Sequence, residues 1–302
     1  MSNTSVIYPL IAALVKAEDI LGPDRNWQAD NATQSLFLEE FFAQASRRES
    51  SRIPEIESIA AWDAEVINRF LRERGFEIQL LPFSNNTFAP EFGVASVLDM
   101  FVTWLEPGQE VTLKANNSDE LATKSEKEYP AVRMATGVSF HRASQHPHAI
   151  AKLETQSYDA VYLTRLDTAP TGFDLLRYTK QLSAALNPNY DYEGVVFPMV
   201  DLKQKVDISW LINMSTITDT NKPAVISQAL QETHFSMDPK GAHAKSAVAL
   251  AVRMMGAIPF HPPLPDLIID GPMLVWCERY SLTQPLFVAH VTQEDWKKPE
   301  EV

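Results

Sequence analysis

The order of the helices and strands that the sequence predicts is the feature that most constrains the fold of this 302-residue chain. Most predicted helices lie before residue 76, and the later part of the chain is dominated by strands with a single helix among them. A doubly wound parallel sheet needs regular alternation of strand, helix and strand, and this chain does not provide it. The sequence therefore predicts an α+β fold with long strands.

Helices are predicted where apolar residues recur at helical spacing. The first contains the apolar stretch 6–15 and ends near Gly22, and the others are expected at 35–49, 60–74 and 172–186. In the helix at 60–74, one face is expected to carry Trp62, Val66, Phe70 and Leu71, and Gly75 is expected to end it.

Strands are predicted where apolar or alternating runs are bounded by polar turns. They are expected at 77–81, at 92–105 as one long strand, in several runs within 131–165, and at 194–200, 225–237, 273–277 and 286–291. The polar segment 109–129 is predicted as a solvated loop or an edge hairpin.

Charge and cysteine content exclude several classes of protein. The chain has 26 Lys and Arg against 39 Asp and Glu, a net charge of −13, which disfavours binding to nucleic acids and to anionic membranes. The lone Cys277 cannot form an internal disulfide. No apolar run reaches the roughly 18 residues of a membrane helix, and stretch 6–15 lacks the flanks of a signal peptide. We therefore expect a cytoplasmic protein without a nucleic-acid or membrane partner.

Sequence motifs of the common enzyme classes are missing. The chain has ten glycines and no glycine-rich nucleotide loop, nucleophile elbow or zinc-protease motif. Cys277 lies in an apolar strand, which favours a core position over a nucleophile. The histidines His141, His146 and His148 could form a metal site or an enzyme centre of unrecognised type, but Pro147 and the absence of a well-spaced carboxylate favour a polar turn. No catalytic residue, cofactor or metal is expected.

The segment 239–265 is unusual, because a glycine is succeeded by small residues and these by prolines. Read as a strand, it places Ala242, Ala244, Ser246, Val248 and Leu250 on one small or apolar face. The prolines at 259, 262, 263 and 265 would keep the neighbouring residues extended and exposed, as a protease substrate is. Helix propensity instead favours an alanine-rich helix over 242–255.

Several motifs resemble those of the serpins, in the family's order and near its spacing. They are residues 97–104 (VLDMFVTW), 197–202 (FPMVDL), 207–211 (DISWL), 238–244 (DPKGAHA), 271–276 (GPMLVW) and 284–291 (QPLFVAHV). The resemblance spans residues 92–299. It implies one serpin-like domain over 1–302, with a divergent helical part at 1–91. The core at 92–302 would have large mixed or antiparallel sheets, packed helices and an exposed loop at 241–265.

The resemblance also implies a function, inhibition of serine-type endopeptidases by a protein that is not itself an enzyme. The hinge of the loop would comprise Gly241, Ala242, Ala244 and Ser246. The scissile region would comprise Arg253, Met254, Met255 and Gly256, with cleavage near Met255–Gly256. Met255 before the bond suggests a chymotrypsin- or elastase-like protease, and Arg253 a trypsin-like one. After cleavage, the loop would insert into a sheet as an extra strand.

The chain departs from the family pattern at four places. The loop exit is lengthened by 263–266, Pro239 replaces the hinge glutamate, and Gln231 occupies the position of the shutter histidine, with His234 out of register. Residues 1–91 do not align with the family's amino-terminal helices, so that half resembles a shortened version. These departures favour a second hypothesis, a non-inhibitory serpin-like binding or scaffold protein. The oligomeric state stays open.

Overall fold

The structure is a computed structural model, and it describes residues 1–83, 91–100, 102–116, 127–242 and 264–299. The helices in these ranges are α1 (Tyr8–Lys16), α2 (Glu18–Leu21), α3 (Ala32–Leu36), α4 (Gln44–Ser50), α5 (Ala64–Glu73) and α6 (Phe173–Ala184). The first and last helices predicted from the sequence are confirmed. None of the helices in the described ranges combines the length and hydropathy needed to cross a membrane.

The helix predicted at 35–49 is wrong as a continuous element. It is divided into α3, a π-helical turn at Phe37–Phe41 and α4, with extended backbone at Ala43 between the last two. Phe42 N–H donates to the carbonyl of Phe37, five residues earlier. That spacing brings residues i and i+5 to the same face, so Phe37 and Phe42 both become buried, with their ring centroids 6.0 Å apart. Aromatic burial outweighs regular helical hydrogen bonding here.

The helix predicted at 60–74 begins later, at Ala64, because Asp63 caps it by accepting the N–H of Glu65. The expected apolar face is wrong in part: Trp62 precedes the helix and is 56% exposed. The face that packs inward carries Ala64, Ile67, Asn68 and Leu71. The end at Gly75 is confirmed, since this glycine has a φ of +83°.

The strands of the described residues are numbered in chain order. They are β1 (Asn3–Ser5), β2 (Ile56–Ala61), β3 (Gly93–Leu98), β4 (Val102–Thr103), β5 (Gln109–Lys114), β6 (Glu128–Met134), β7 (Val138–Arg142), β8 (Ile150–Glu154), β9 (Ala160–Arg165), β10 (Asn187–Asn189), β11 (Val195–Pro198), β12 (Val200–Val206), β13 (Ser215–Ile217), β14 (Pro223–Val225), β15 (Gln231–Met237), β16 (Gly241–Ala242), β17 (Leu267–Ile268), β18 (Met273–Glu278) and β19 (Phe287–Val291).

Most strand predictions are confirmed, and the exceptions are local. The long strand at 92–105 is divided into β3 and β4, and the one at 225–237 is a strand only from Gln231 onward, after β14 ends at Val225. The segment 109–129 contains β5 and the start of β6, which pair antiparallel, so the edge-hairpin alternative is the one observed. The strand at 77–81 is wrong, because side chains occupy the backbone N–H groups of Glu77, Ile78 and Leu81.

The largest sheet has seven antiparallel strands in the order β1-β19-β18-β9-β8-β7-β10. A second sheet has the order β17-β11-β6-β5, with β17 parallel to β11. The residues of β18 and β19 are almost all buried, which explains why these strands read as continuous apolar runs. The α+β class with large antiparallel and mixed sheets is confirmed.

A divided sheet lies beside this core. β2 pairs with β3 in one two-stranded unit, and β12 pairs with β15 in another. Val94 and Leu98 of β3 pack against the main core, whereas Ala95 and Val97 pack against Ile67 and Leu71 of α5. On β15, Phe235 stacks on Phe287 of β19, with ring centroids 4.5 Å apart. β3 and β15 thus form the two walls of an opening, which we call the groove.

Candidate functional site

The chain reverses direction between β15 and β16 in a tight turn at 238–240. The Asp238 carboxylate accepts the backbone N–H groups of Lys240 (2.7 Å) and Gly241 (3.1 Å), while the Asp238 N–H donates to the carbonyl of Gly241 (2.9 Å). A short aspartate side chain that bonds its own downstream backbone stabilises such reversals. The turn directs the chain from β15 back along the groove.

β16 is the first part of the predicted hinge, and it is already a strand. It pairs antiparallel with β4, with Gly241 opposite Thr103 and Ala242 opposite Val102. A Cβ atom on Gly241 would lie 2.1 Å from the carbonyl oxygen of Val102, so this close approach requires glycine. Ala242 is buried, with 4% of its surface exposed.

Backbone groups of the turn are held by the segment that comes after β4. Trp104 donates its backbone N–H to the carbonyl of Lys240 (3.0 Å) and its indole Nε1–H to the carbonyl of Asp238 (3.0 Å). Gly108 donates to the carbonyl of Pro239 (2.7 Å). Because Pro239 lies in the turn and not in a strand, its missing N–H costs no ladder hydrogen bond. The departure of the hinge sequence at this position is therefore accommodated by the local structure.

The groove extends away from Ala242 between β3 and β15, as a cavity of about 1720 Å³. Ala242 lies at its mouth, Leu10 and Leu14 of α1 line it from the core side, and residues 76–83 line it from the outer side. An opening between two strands that already accepts the first residues of a third can take up an added strand, since backbone pairing on both sides satisfies the strand's polar groups.

Gln231, which occupies the position of the family's shutter histidine, and His234, which is out of register with that position, have separate partners. Gln231 donates to the carbonyl of Val6 at the start of α1 (3.2 Å), which ties β15 to the helix that lines the groove. His234 lies on the outward face of β15, where its Nε2 is 2.7 Å from the Glu232 carboxylate. Gln231 and His234 thus both line the groove, but Gln231 contacts the segment before α1 and His234 contacts Glu232.

The other predicted loop residues lie outside the described residues. They are Ala244 and Ser246 of the hinge and Arg253, Met254, Met255 and Gly256 of the scissile region. Their roles stay predictions.

Of the three histidines, His146 and His148 lie in a polar turn before β8, whereas His141 lies in β7. His146 Nε2 lies 2.8 Å from Thr164 Oγ1, and that hydroxyl donates to the carbonyl of Ala149. The Thr164 oxygen must therefore accept the Nε2–H, which leaves His146 Nδ1 to accept the hydroxyl of Tyr178 (2.9 Å). Burial lowers the pKa of His146 to about 4, with a smaller contribution from His148.

Both nitrogens of His146 are thus occupied by hydrogen bonds, which leaves neither free to bind a metal. Within the described ranges, no group of three or more His, Cys, Asp or Glu side chains is arranged to hold a metal ion.

Cys277 is buried as the sequence predicts, with 2% of its surface exposed, and burial raises the pKa of its thiol. Next to it, Arg279 makes paired hydrogen bonds to Asp159 (2.8 and 2.9 Å) and Glu55 (2.6 and 3.0 Å). The sequence does not predict this cluster. Its three residues lie far apart in the chain, and no local pattern connects them.

Comparison with known proteins agrees with this geometry. No family model and no curated protein matches the sequence. Among solved structures, human glycosylated kallistatin has a TM-score of 0.52 at 11% identity, over 96% of this chain and 96% of its own. The mouse protein Z-dependent protease inhibitor has a TM-score of 0.54 at 12% identity, over 96% and 90%. A serpin of the insect Tenebrio molitor, described as highly specific, has a TM-score of 0.50 at 12% identity, over 97% and 75%.

The chain has the serpin fold. The structural likeness covers most of residues 1–91 as well as the later part, because it extends over 96–97% of the chain. Sequence motifs reached only residues 92–299, so the fold is retained where the sequence pattern is not. At 10–12% identity the likeness speaks for the fold alone.

Proposed function

We propose that this serpin-fold protein inhibits a serine-type endopeptidase by inserting its cleaved loop into the groove between β3 and β15. The protease cuts the loop near Met255–Gly256, fourteen residues after Gly241, and remains attached as an acyl-enzyme. The loop then enters the groove as an added strand, and the protease is displaced with it.

The observation that carries this proposal is the pairing of β16 with β4 at the mouth of the groove. A strand that extends β16 in the same direction would run between β3 and β15. Its small residues Ala242, Ala244 and Ser246 would then share one face. The name of one structural neighbour, the mouse protein Z-dependent protease inhibitor, gives further support.

The residue before the scissile bond sets the class of partner. Met255 favours a chymotrypsin- or elastase-like protease, and cleavage at Arg253 would favour a trypsin-like one. We expect incubation with trypsin, chymotrypsin, elastase and subtilisin to give a complex with one of them that survives denaturing electrophoresis. Mass spectrometry of the released fragment then identifies the bond.

Ala242→Arg separates inhibition from simple cleavage. A long charged side chain at this buried position blocks insertion, so the variant should be cleaved as fast as the wild-type protein but form no stable complex. Lys240→Ala is the matched control, since Lys240 is exposed on the same turn. Cleavage of the wild-type protein without a complex and without a rise in melting temperature would rule out inhibition.

Gln231 favours a second candidate, a non-inhibitory serpin-fold binding or scaffold protein. This residue stands where the resemblance places the shutter histidine, and it holds β15 to the start of α1 through Val6. A groove fixed in this way would not open after cleavage. Cleavage that leaves thermal stability unchanged would support this candidate.

A further inference from the structure

Residues 76–83 cross the outer side of the groove, and we call this segment the strap. It leaves α5 through Gly75, and the N–H of Phe76 bonds back to the carbonyl of Leu71 (3.1 Å), which ends the helix in a fixed direction. From there the strap runs from the helix that covers β3 to side chains that project from β15.

On the side of β3, the strap is fixed to α5. Asn68 is buried, accepts the N–H of Leu80 (2.8 Å) and donates to the carbonyl of Leu80 (3.0 Å). This pair of bonds copies the pairing that a neighbouring strand would provide. Apolar side chains of the strap (Phe76, Ile78, Leu80 and Phe83) pack on the cluster formed by α5 and β3.

On the side of β15, a single carboxylate makes the main connection. One oxygen of Glu232 accepts the backbone N–H groups of both Glu77 and Ile78, each at 3.0 Å. Its other oxygen lies 2.7 Å from His234 Nε2, which orients the carboxylate. Gln228 adds a pair of weaker bonds to Leu81 (2.8 and 3.3 Å), and the His234 ring stacks on Phe76 at 4.9 Å.

The Glu232 side chain is only 5% exposed. Burial works to raise its pKa, but the hydrogen bonds from His234, Glu77 and Ile78 outweigh that effect and lower the pKa below its ordinary value. The ionised carboxylate is therefore the form that holds the strap. Hydrogen bonds to an ionised acceptor are stronger than neutral ones, whereas an amide in the same place would make weaker bonds.

We propose that Glu232 fastens the strap across the groove, and that release of this fastening sets the rate at which a strand is taken up between β3 and β15. An added strand would have to enter the opening that the strap crosses, and the strap joins the two walls of that opening through α5 on one side and Glu232 on the other. This inference rests on the proposed function for the identity of the strand, but strap opening can be measured without a protease.

The test compares the wild-type protein with Glu232→Gln, which removes the charge and keeps the shape. Uptake of a synthetic peptide with the sequence of residues 242–255 is monitored by native mass spectrometry, and amide hydrogen exchange is measured at Glu77 and Ile78. We expect both to accelerate about tenfold in the variant, with exchange in β18 unchanged. Glu128→Gln, which alters an exposed strand carboxylate on β6, should change neither rate.

Each other outcome has a definite meaning. Unchanged exchange at Glu77 and Ile78 shows that Glu232 does not fasten the strap, and faster exchange with unchanged peptide uptake shows that the strap does not control the groove; either result overturns the inference. If Glu232→Gln takes up peptide faster but the wild-type protein traps no protease, the strap stands and the proposed function fails. Peptide uptake by neither protein overturns both.

Discussion

Gly241 lies so close to Val102 that a Cβ atom on the glycine would be 2.1 Å from the Val102 carbonyl oxygen. The obstacle is backbone, which cannot rotate away as a side chain could. Gly241 is therefore joined to β4 by a contact that no other residue type permits, and under the proposed function this contact sets where an inserting strand would begin.

Gly241→Ala should detach β16 from β4 at a cost of about 1–3 kcal/mol, the usual range for forcing an extra methyl group into a filled space. The bond from the Trp104 N–H to the Lys240 carbonyl should open as a result. We expect faster amide exchange at Trp104 and a loss of stable protease complexes, with cleavage retained. Lys240→Ala serves as the control. Unchanged exchange at Trp104 would show that the hinge tolerates a side chain here.

The sequence could predict elements whose own residues show a clear pattern of apolar, buried positions. β18 and β19 form where expected because they are continuous buried runs, and α6 because its buried residues recur at helical spacing. The backbone conformation of the strap and its hydrogen-bond partners could not be predicted from the sequence. Its run of alternating residues is typical of a strand, but the groups that bind its backbone are side chains of Asn68, Gln228 and Glu232, and a local pattern does not reveal such partners.

The candidate site was predictable in part for a similar reason. The glycine and alanine of the hinge could be picked out from the motif at 238–244. The resemblance implied that they belong to an exposed loop, whereas the structure pairs them with β4 as a buried strand. The turn that accommodates Pro239 is held in part by the backbone N–H of Gly108, more than a hundred residues earlier in the chain. Long-range contacts of this kind decide whether a departure from a family motif matters.

Arg279 should be among the most important single side chains for stability. Asp159 has a side chain that is only 2% exposed, and Arg279 compensates its charge. Arg279→Met leaves that carboxylate buried and unpaired, which typically costs about 3–5 kcal/mol. Urea unfolding should show a loss of this size, whereas Arg142→Ala should cost less than about 1 kcal/mol, since Arg142 and Asp191 form an exposed pair. Equal effects of the two substitutions would contradict this assignment.

Cys277 should be chemically inert in the folded protein. The thiolate is the reactive form of cysteine, and burial both raises the pKa of this thiol and excludes reagents from it. We expect a thiol-specific disulfide reagent at neutral pH to leave the folded protein unmodified and to modify one thiol per chain in urea. Rapid modification without denaturant would mean that β18 opens locally and is less stable than its burial indicates.

His146 should make the protein lose stability as the pH falls through the weakly acidic range. Burial is the main cause that lowers its pKa from 6.5 to about 4, so below pH 6.5 the unfolded chain binds a proton that the folded protein excludes. The contribution of His146 to the free energy of unfolding is fully present above pH 6.5. It declines as the pH falls to about 4 and changes little below that. At about 1.4 kcal/mol per pKa unit, the loss is on the order of 3 kcal/mol. Urea unfolding at a series of pH values gives the free energy of unfolding as a function of pH. Between pH 4 and 6.5, this free energy should depend less steeply on pH for His146→Gln than for the wild-type protein. His148→Gln should keep most of the pH dependence of the free energy of unfolding, because the charge of His148 contributes less than burial does to lowering the pKa of His146. If the wild-type protein and His146→Gln show the same pH dependence, other groups cause the acid sensitivity.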